Sequence, residues 1–420
     1  MTWKEYPQNI KVRLITSFFN RAVASAVMPF MALFFAEEMS KIWAGIFLIS
    51  TVVVGFIVNL IGGYISDRFP RKKVLMITSV LTSLMFLMMT ISLLPEDKMI
   101  GLFALAYILF TITGSLGRPA MHALIIDSTT PENRKAVYTL DYWLINLSLA
   151  IGTTLGGLLY ISHKVELFMM LTITSSLICV AYYLWLKDEN HHVLKKKYQN
   201  VVMDMVQNYR IAFRDSAFVK VVIGSGLIFS AEFTLSSYIG IRLAESFETL
   251  DVNGFEFTGV HMLSLIKVQN MLFVVCFTFL VNRITDRFDK RKMLIVGLIM
   301  YGSGYAVVTS ANIWYVLILF NVIATLGELI YSPIKETAKA NMIPDDKRGS
   351  YSAFSNLSFS GADLIARSSI IIGAFLIPTM MSVYVGITVF TGAVLIYTGF
   401  FLSSSKKTDG NAVAGVKKAV

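Results

Sequence analysis

Twelve apolar stretches of about twenty residues follow one another along the chain and constrain its fold more than any other feature. They centre near residues 25, 54, 84, 112, 149, 176, 229, 272, 301, 323, 361 and 390. A helix of this length crosses the hydrocarbon core of a bilayer. Hydrophobic residues make up 55% of the chain and charged residues only 15%, a balance typical of membrane proteins. The sequence therefore predicts an all-α integral membrane protein with twelve transmembrane helices, called spans 1 to 12 below.

The basic residues are distributed unevenly between the two sides of the predicted membrane. Of the 37 Lys and Arg residues, 29 lie in the N-terminus, after spans 2, 4, 6, 8 and 10, or in the C-terminal tail. The loops on the other side hold only Lys41, Lys98, Lys164 and Arg242. Both termini are therefore predicted to be cytoplasmic, because basic loops stay on that side. The net charge of +10 forms short clusters rather than one basic face, so we do not expect nucleic acid as a partner.

One phrase of the sequence occurs twice. The segment ISDRFPRKK at residues 65–73 returns as ITDRFDKRK at residues 284–292, about half a chain length later. Each copy closes the second span of its own half. Paired repeats of this kind are common in alternating-access transporters. We therefore expect two six-helix pseudo-repeats.

The longest internal loop separates these two halves. Within it, Val202, Met205, Tyr209 and Phe213 are spaced three or four residues apart, which predicts an amphipathic helix at the membrane surface. The expected domains are an N-terminal six-helix bundle in residues 1–186, a cytoplasmic linker in 187–217, a C-terminal six-helix bundle in 218–404 and a disordered tail in 405–420.

The first copy of the repeated phrase resembles the signature loop of the major facilitator superfamily. The pattern G-G-x-x-x-D-R-x-x-R-K is formed by Gly62, Gly63, Asp67, Arg68, Arg71 and Lys72. Residues 125–148 and the segment TLGELIYSP at residues 325–333 resemble the proton-coupled multidrug efflux branch of that superfamily. The resemblance implies a transporter that exchanges drugs for protons across a bacterial cell membrane.

The signature loop combines an acid with several cations. Membrane orientation explains the basic residues, but it does not require Asp67. The resemblance implies that Asp67, with Gly63, Arg68 and Arg71, forms a breakable clasp with the start of span 11 and latches the outward-open state. Asp286 holds the same place in the second copy, where the preceding pair of glycines is absent.

Span 5 carries small residues on one face. Ser148, Gly152, Gly156 and Gly157 would allow a second helix to pack closely against it. The segment resembles the motif of proton-coupled exporters, with Ser148 in place of its first glycine and Thr153 in place of its proline. Ordinary helix packing is the alternative explanation.

Two acidic residues are predicted to lie near the middle of the membrane. Glu232 falls about fourteen residues into span 7, and Glu328 falls about fifteen residues into span 10. An ionisable residue at this depth costs about 2.5–3.5 kcal/mol on insertion, so each is a functional candidate. The resemblance places both spans on the wall of a central cavity and gives Glu328 a role in proton and drug coupling. For either acid, the alternative is a satisfied internal hydrogen bond.

Three further acids are candidates for proton transfer or for pairing. Asp141, several residues inside span 5, resembles the proton-relay carboxylate of the family. Asp127, at the end of span 4, is a second coupling candidate, with pairing to Arg134 as its alternative. Asp363 in span 11 stands four residues before Arg367, which can neutralise it.

Basic and aromatic residues complete the predicted substrate cavity. Arg21 in span 1 and Arg118 in span 4 can contact an anionic substrate group or pair with Asp141. Lys267, near the outer end of span 8, is expected to reach the membrane surface by snorkelling. A pliable apolar cavity is further indicated by 21 methionines and by the aromatic residues Tyr142, Trp143 and Tyr331.

The sequence thus favours a proton-coupled exporter of amphipathic or cationic drugs that works by alternating access. An exporter of one anionic or zwitterionic metabolite, such as a metallophore or peptide, is the alternative, and an importer is a third possibility. The sequence has no nucleophile with a base, no metal-ligand spacing and no phosphate loop, so we expect neither an enzyme, nor a metal site, nor a cofactor. The expected partners are a small-molecule substrate, protons and membrane lipids, and the expected state is a monomer.

We expect Asp67→Asn to slow transport while the protein stays folded and inserted, because the change removes one charge and almost no volume. The matched control is Asp286→Asn, which should slow transport less because its loop lacks the glycine pair. Initial rates of proton-driven export in everted vesicles, normalised to inserted protein, measure both effects. Normal turnover of Asp67→Asn would leave membrane orientation as the only role of the loop.

Overall fold

A computed structural model describes residues 6–127, 131–187, 210, 212–343, 351 and 354–402. Within these residues, ten helical segments are long and apolar enough to cross a membrane. The apolar part of span 5, Trp143–Leu159, and span 11, Leu357–Ile372, are shorter helices. The all-α class and the succession of spans agree with the prediction.

Seven α-helices form the described part of the first half. They are α1 (Gln8–Val27), α2 (Met31–Glu38), α3 (Lys41–Arg68), α4 (Arg71–Ser92), α5 (Ile100–Asp127), α6 (Pro131–Leu159) and α7 (Lys164–Trp185). Helices α1 and α2 together make span 1, which is interrupted by a 3-10 turn at Met28–Phe30. Pro29 lies in this turn, where its ring and its missing N–H disrupt the regular helical hydrogen bonds.

Seven further α-helices form the described part of the second half. They are α8 (Ser216–Phe233), α9 (Tyr238–Ser246), α10 (Gly259–Thr285), α11 (Lys290–Ser310), α12 (Trp314–Asn341), α13 (Leu357–Ile372) and α14 (Pro378–Tyr397). Span 7 consists of α8 and α9, separated by a 3-10 turn at Thr234–Ser236. No proline causes this break. Instead, the Thr234 hydroxyl donates to the Ala231 carbonyl at 2.5 Å, and such side-chain bonds compete with the helical pattern.

A short hairpin joins spans 7 and 8, and the sequence analysis did not predict it. Strands β1 (Leu250–Val252) and β2 (Phe255–Phe257) pair in antiparallel register. The turn between them is Asn253 and Gly254, with φ angles of 54° and 83°. An Asn-Gly pair tolerates this left-handed backbone, and it is the signal from which the hairpin could have been predicted.

The chain forms two compact units. The first comprises Met1–Ser40 and Phe47–Lys197, and the second comprises Lys41–Ile46 and Tyr198–Val420. In the first unit, α1 packs against α6, and α4 packs between α5 and α7. In the second unit, α8 packs against α13 and α14, and α12 packs between α10 and α11. The domain boundaries expected from the sequence remain predictions.

The repeated basic phrase has the same packing role in both units. The Lys72 ammonium lies 6.0 Å from the Tyr183 ring centroid and donates to the Tyr183 carbonyl at 2.9 Å. At the equivalent place, the Arg291 guanidinium lies 4.3 Å from the Phe401 ring centroid. Each cation thereby connects the third span of its half to the sixth by a cation–π contact. The basic phrase is therefore a packing element as well as a signal for membrane orientation.

Arg242 is one of the four basic residues that the sequence analysis assigned to loops on the side opposite the termini. The structure places it inside α9 with only 4% of its surface exposed. Its Nη2 donates to the Ala311 carbonyl at 2.7 Å and to the Val308 carbonyl at 3.2 Å. These carbonyls end α11 and have no helical partner of their own. Arg242 therefore caps α11 from a neighbouring helix.

The small residues of span 5 bring α6 into backbone contact with α1, as predicted. A Cβ atom at Gly152 would stand 2.1 Å from the Ala22 carbonyl oxygen. A Cβ atom at Gly156 would stand 2.2 Å from the Ala26 carbonyl oxygen. Both distances are far below van der Waals contact, so only glycine permits this approach of the two helices.

Gly152→Ala should destabilise the protein, because α1 and α6 must separate to admit the methyl group. Overpacking of this kind costs about 1–3 kcal/mol, so the thermal midpoint in detergent should fall by several degrees. Gly114→Ala in α5 is the matched control, since no atom lies within 4 Å of the position of its Cβ. Alanine is the better helix former, so this control should be neutral or more stable. Equal midpoints for the two variants would contradict the assigned contact.

Candidate functional site

The second unit brings the two predicted midplane acids close to each other. Glu232 lies on α8 just before its break, and Glu328 lies in the middle of α12. Both side chains are partly buried, and their charges interact. The carboxylate of Glu328 accepts a hydrogen bond from Asn270 Nδ2 at 3.1 Å. The same Nδ2 is 3.1 Å from Thr325 Oγ1, so α10 and α12 position this acid together.

Two lysines complete this group of charges. Lys267 on α10 donates to Ser236 Oγ at 2.7 Å, and its charge interacts with that of Glu232. The prediction that Lys267 snorkels to the membrane surface is therefore wrong, because the hydroxyl group of Ser236 inside the bundle accepts a hydrogen bond from its ammonium. Lys335 on α12 is 0% exposed, and its charge interacts with those of Glu232 and Glu328. The sequence analysis had counted Lys335 with the basic loop after span 10.

The four side chains Glu232, Glu328, Lys267 and Lys335 are called the charged quartet below. Two carboxylates and two ammonium groups sum to zero charge. Such a balance matters inside an apolar bundle, because an unpaired buried charge costs several kcal/mol. A new charge therefore enters the quartet only if another charge leaves or is neutralised.

An ion pair on span 11 lies within electrostatic range of the quartet. Arg367 Nε is 3.1 Å from Asp363 Oδ1, one helical turn away, as the sequence suggested. The charge of Arg367 interacts with that of Lys267. Asp363 is therefore engaged with its own arginine.

Three buried tyrosines lie between α11 and α12. The Tyr301 ring lies 4.8 Å from the Tyr305 ring and 5.2 Å from the Tyr331 ring. None of the three hydroxyl groups has a hydrogen-bond partner within the described residues. Tyr331, predicted to contact substrate, is 0% exposed and packs in this helix interface.

The first unit places Asp141 between two arginines. Arg13 Nη1 lies 2.5 Å and Arg21 Nη1 lies 2.9 Å from Asp141 Oδ1. Of the two alternatives for Arg21, the structure thus shows pairing with Asp141. Sequence reasoning missed Arg13, which is 2% exposed and had been counted with the polar N-terminus. Arg13 and Arg21 are eight residues apart on α1, so they lie on one helical face, and this spacing was the available signal.

The remaining predicted substrate residues do not gather around Asp141. Arg118 on α5 is exposed. Trp143 is 53% exposed, and it lies two residues after Asp141, about 200° around α6. It therefore faces away from the arginine pair. The side chains of Tyr142 and Asp127 fall outside the described residues.

The structure describes the side chains of only some residues of the signature loop and of its second copy. The side chains of Gly63, Asp67 and Arg68 fall outside the described residues, so the predicted clasp remains a prediction. Arg71 begins α4. Asp286 follows the last residue of α10 and forms an ion pair with Lys290.

A cavity of about 610 Å³ lies elsewhere in the second unit, at the ends of α11, α12 and α14. Its wall is formed mainly by aliphatic side chains such as Val307, Ile313, Val316 and Val383. No ionisable side chain lines it, so it does not explain the charged quartet.

The spacing between Lys335 and Glu328 was a sequence signal from which Lys335 could have been predicted as a partner of the acids. Lys335 stands seven residues after Glu328, and two helical turns put both on one face. Lys267 and Asn270 are likewise one turn apart in an apolar span. A periodicity test applied to charged residues, rather than to apolar ones, would have grouped them.

Comparison with known proteins agrees with this architecture. The sequence profile of the Major Facilitator Superfamily matches residues 13–266 and 223–419 of the chain. A Na(+), Li(+), K(+)/H(+) antiporter of Planococcus maritimus is 27% identical over 383 residues, which cover 88% of this chain and 90% of that protein. Multidrug resistance protein MdtH of Proteus mirabilis is 25% identical over 355 residues, 80% of each chain.

Solved structures of transporters share the fold. A peptide transporter POT in complex with alafosfalin superposes with a TM-score of 0.74 at 16% identity, covering 96% of both chains. The nucleoside transporter NupG gives a TM-score of 0.73 at 8% identity, covering 94% of this chain and 100% of that one. Because the family profile matches most of the chain and the described residues form the corresponding apolar helices, this chain belongs to the Major Facilitator Superfamily of multi-pass membrane transporters.

Proposed function

We propose that this transporter exports amphipathic organic cations in exchange for protons. The observation that carries the proposal is the pair Glu232 and Glu328, whose charges interact with each other and with two internal lysines. A carboxylate withdrawn from water needs a partner, which is either a proton or a cation. Binding of one therefore favours release of the other, and this competition is what exchange requires.

The relatives support exchange and leave the choice of cation to experiment. One relative is named as an antiporter of Na(+), Li(+) and K(+) against H(+), and another is named as a multidrug resistance protein. Cation exchange against protons suits carboxylates in a charge-balanced site. The apolar and aromatic surroundings, with Tyr301, Tyr305 and Tyr331 beside the acids, favour an amphipathic organic cation over an alkali ion.

In the proposed cycle, the cation binds the acids from the cytoplasm, and a proton from the other side displaces it after the site has changed access. Asp141 acts as the proton relay of the first unit, with Asp127 as a second coupling residue. Arg13 and Arg21 orient Asp141. The signature loop around Asp67 latches the outward-open state.

We also propose the surroundings in which this cycle runs. The protein lies in a bacterial plasma membrane with both termini in the cytoplasm, because most of its basic residues are in the corresponding loops. It acts as a monomer in contact with membrane lipids, and its partners are protons and a small-molecule substrate. Residues 187–217 link the two six-helix bundles.

Export of an anionic or zwitterionic metabolite is the second candidate function. It is favoured by Arg118, which is exposed on α5, and by Arg21, which keeps 25% of its side chain exposed although it pairs with Asp141. Under this alternative, Arg21→Gln or Arg118→Gln abolishes transport of the anion, and Glu328→Gln acts mainly through coupling. Transport assays with an organic cation and with an anionic peptide in the same vesicles separate the two functions.

Glu328→Gln should weaken the binding of organic cations, because the amide keeps the size of the side chain and removes its charge. A hydrogen bond to a charged group contributes roughly 1.5–3 kcal/mol, which is about tenfold to a hundredfold in affinity. Glu232→Gln should show the same preference to a smaller degree. Dissociation constants of the purified variants for a cation and for a neutral dye measure the effect.

Glu166→Gln is the matched control for both variants, because Glu166 is an acid on α7 with 63% of its side chain exposed. It should leave both dissociation constants unchanged. Equal losses for the cation and the neutral dye in Glu328→Gln would exclude a cation-specific role for that carboxylate.

Asp141→Asn should uncouple substrate movement from the pH gradient more than it weakens substrate binding. The change removes a titratable group and leaves Arg13 and Arg21 facing each other without their shared carboxylate. Cation export from proteoliposomes with and without a pH gradient, together with cation affinity, measures the two effects. A protein that loses binding but keeps proton-driven exchange would move Asp141 into the substrate site.

A further inference from the structure

Lys335 is the one member of the charged quartet whose ammonium lies on aromatic rings. Its side chain is 0% exposed, and its Nζ stands 4.0 Å from the centroid of the Phe229 ring. The Tyr331 ring is 5.5 Å away from the same Nζ. An ammonium within about 6 Å of a ring face is attracted by the negative charge of the π system. The structure therefore contains an occupied site for a positively charged nitrogen.

The aromatic side of this site is built by two different helices. Phe229 on α8 stacks on Phe359 of α13, with ring centroids 4.9 Å apart and planes 13° from parallel. Phe229 also stands three residues before Glu232, so the ring and that carboxylate lie on neighbouring positions of one helical face. A ring face beside a carboxylate recognises an organic ammonium group.

Lys335 is held less firmly than the other lysine of the quartet. Its Nζ has no hydrogen-bond partner within the described residues. The nearest carboxylate oxygen belongs to Glu336 at 3.2 Å, and Glu336 also pairs with Lys339 at 2.6 Å while 47% of its side chain is exposed. Lys267, by contrast, donates a 2.7 Å hydrogen bond to Ser236. Lys335 is therefore the lysine of the quartet whose paired carboxylate is partly exposed to solvent.

The charge balance of the quartet makes such a displacement necessary. The charges of two ammonium groups already interact with the carboxylates of Glu232 and Glu328. A cationic substrate that binds these acids would leave one uncompensated positive charge, which a bundle interior disfavours by several kcal/mol. This excess is relieved if the ammonium of Lys335 leaves the ring and follows its ion pair with Glu336, a carboxylate with 47% of its side chain exposed, toward solvent.

We propose that the ammonium of Lys335 occupies the place that the charged nitrogen of the exported substrate takes over the Phe229 ring, and that the substrate displaces it there. This inference rests on the proposed export of organic cations and specifies their class. The substrate carries a monovalent ammonium or quaternary nitrogen that an aromatic face can hold, attached to an apolar remainder. The ammonium of Lys335 thereby competes with the substrate for the Phe229 ring. While no substrate is bound, it supplies the positive charge beside the two acids.

The first measurement compares Lys335→Met with Lys339→Met, two lysines of α12 that pair with the same Glu336. The purified full-length proteins, in lipid nanodiscs at fixed pH and salt, are titrated calorimetrically with benzyltributylammonium, which is charged at every pH. Loss of the competitor should tighten binding to Lys335→Met by about threefold to thirtyfold, the range of a cation–π contact. Lys339→Met should bind as the wild type does. Unchanged or weaker binding to Lys335→Met would overturn the proposal.

A double-mutant cycle separates displacement from a mere change of net charge. If substrate and lysine share the ring, Phe229→Leu removes a contact from both in the wild type, so the two losses largely cancel. In the Lys335→Met background only the substrate loses the contact, and binding should weaken by about threefold to thirtyfold. An equal effect of Phe229→Leu in both backgrounds would show that lysine and substrate use different places.

If Lys335→Met does not fold, Lys335→Arg tests the same proposal. A guanidinium group stacks on aromatic rings and binds them more strongly than an ammonium group does. It should therefore compete better with the probe and weaken its binding. Binding as tight as in the wild type would overturn the proposal. A gain in affinity for Na⁺ in Lys335→Met, without one for the ammonium probe, would overturn the assignment of an organic cation.

Proteoliposome assays distinguish failure of this inference from failure of the proposed function. If the wild type exchanges the probe for protons but the cycle is additive, only the shared site is wrong. If the wild type exchanges no organic cation for protons, the proposed function fails, whatever the binding constants show.

Discussion

Compensation of charge inside an apolar helix bundle is the constraint on which the structure depends. A single ionised side chain inside such a bundle costs several kcal/mol, so a buried charge needs either an opposite charge or, as for Arg242, carbonyl oxygens that accept its hydrogen bonds. In the first unit, Asp141 joins α6 to α1 through Arg13 and Arg21. In the second unit, Glu232, Glu328, Lys267 and Lys335 connect α8, α10 and α12. These charges thus join neighbouring helices within each unit.

The two halves share their packing and differ in their chemistry. Lys72 on Tyr183 and Arg291 on Phe401 make the same contact between the third and sixth spans, and the first span of each half is broken by a 3-10 turn. The buried charges do not follow this repeat. Among the described residues, the first unit places the carboxylate of Asp141 between two guanidinium groups, whereas the second contains the charged quartet together with the buried Arg242 and Arg367. A duplicated scaffold thus carries one charge arrangement in each half.

Sequence reasoning located the acids better than their partners. Glu232 and Glu328 were selected because a carboxylate in the middle of an apolar run is costly, and the family resemblance added support for Glu328. Lys335 and Arg13 were missed because each stands near the polar end of its span, where hydropathy cannot tell a buried cation from a loop residue. Lys267 was found but assigned to the surface, since only the position of Ser236 shows that an internal hydroxyl group accepts its hydrogen bond.

The sequence alone was enough to predict the all-α membrane class, the succession of apolar spans and the close packing face around Gly152. These follow from local properties: apolar length, residue size and the 1.5 Å rise of a helix. Only the tertiary structure decided which charges meet, that Arg21 pairs with Asp141 and that the Lys335 ammonium lies on the Phe229 ring. Such contacts join residues more than a hundred positions apart, and their geometry depends on the rotation of each helix about its axis, which no single span specifies.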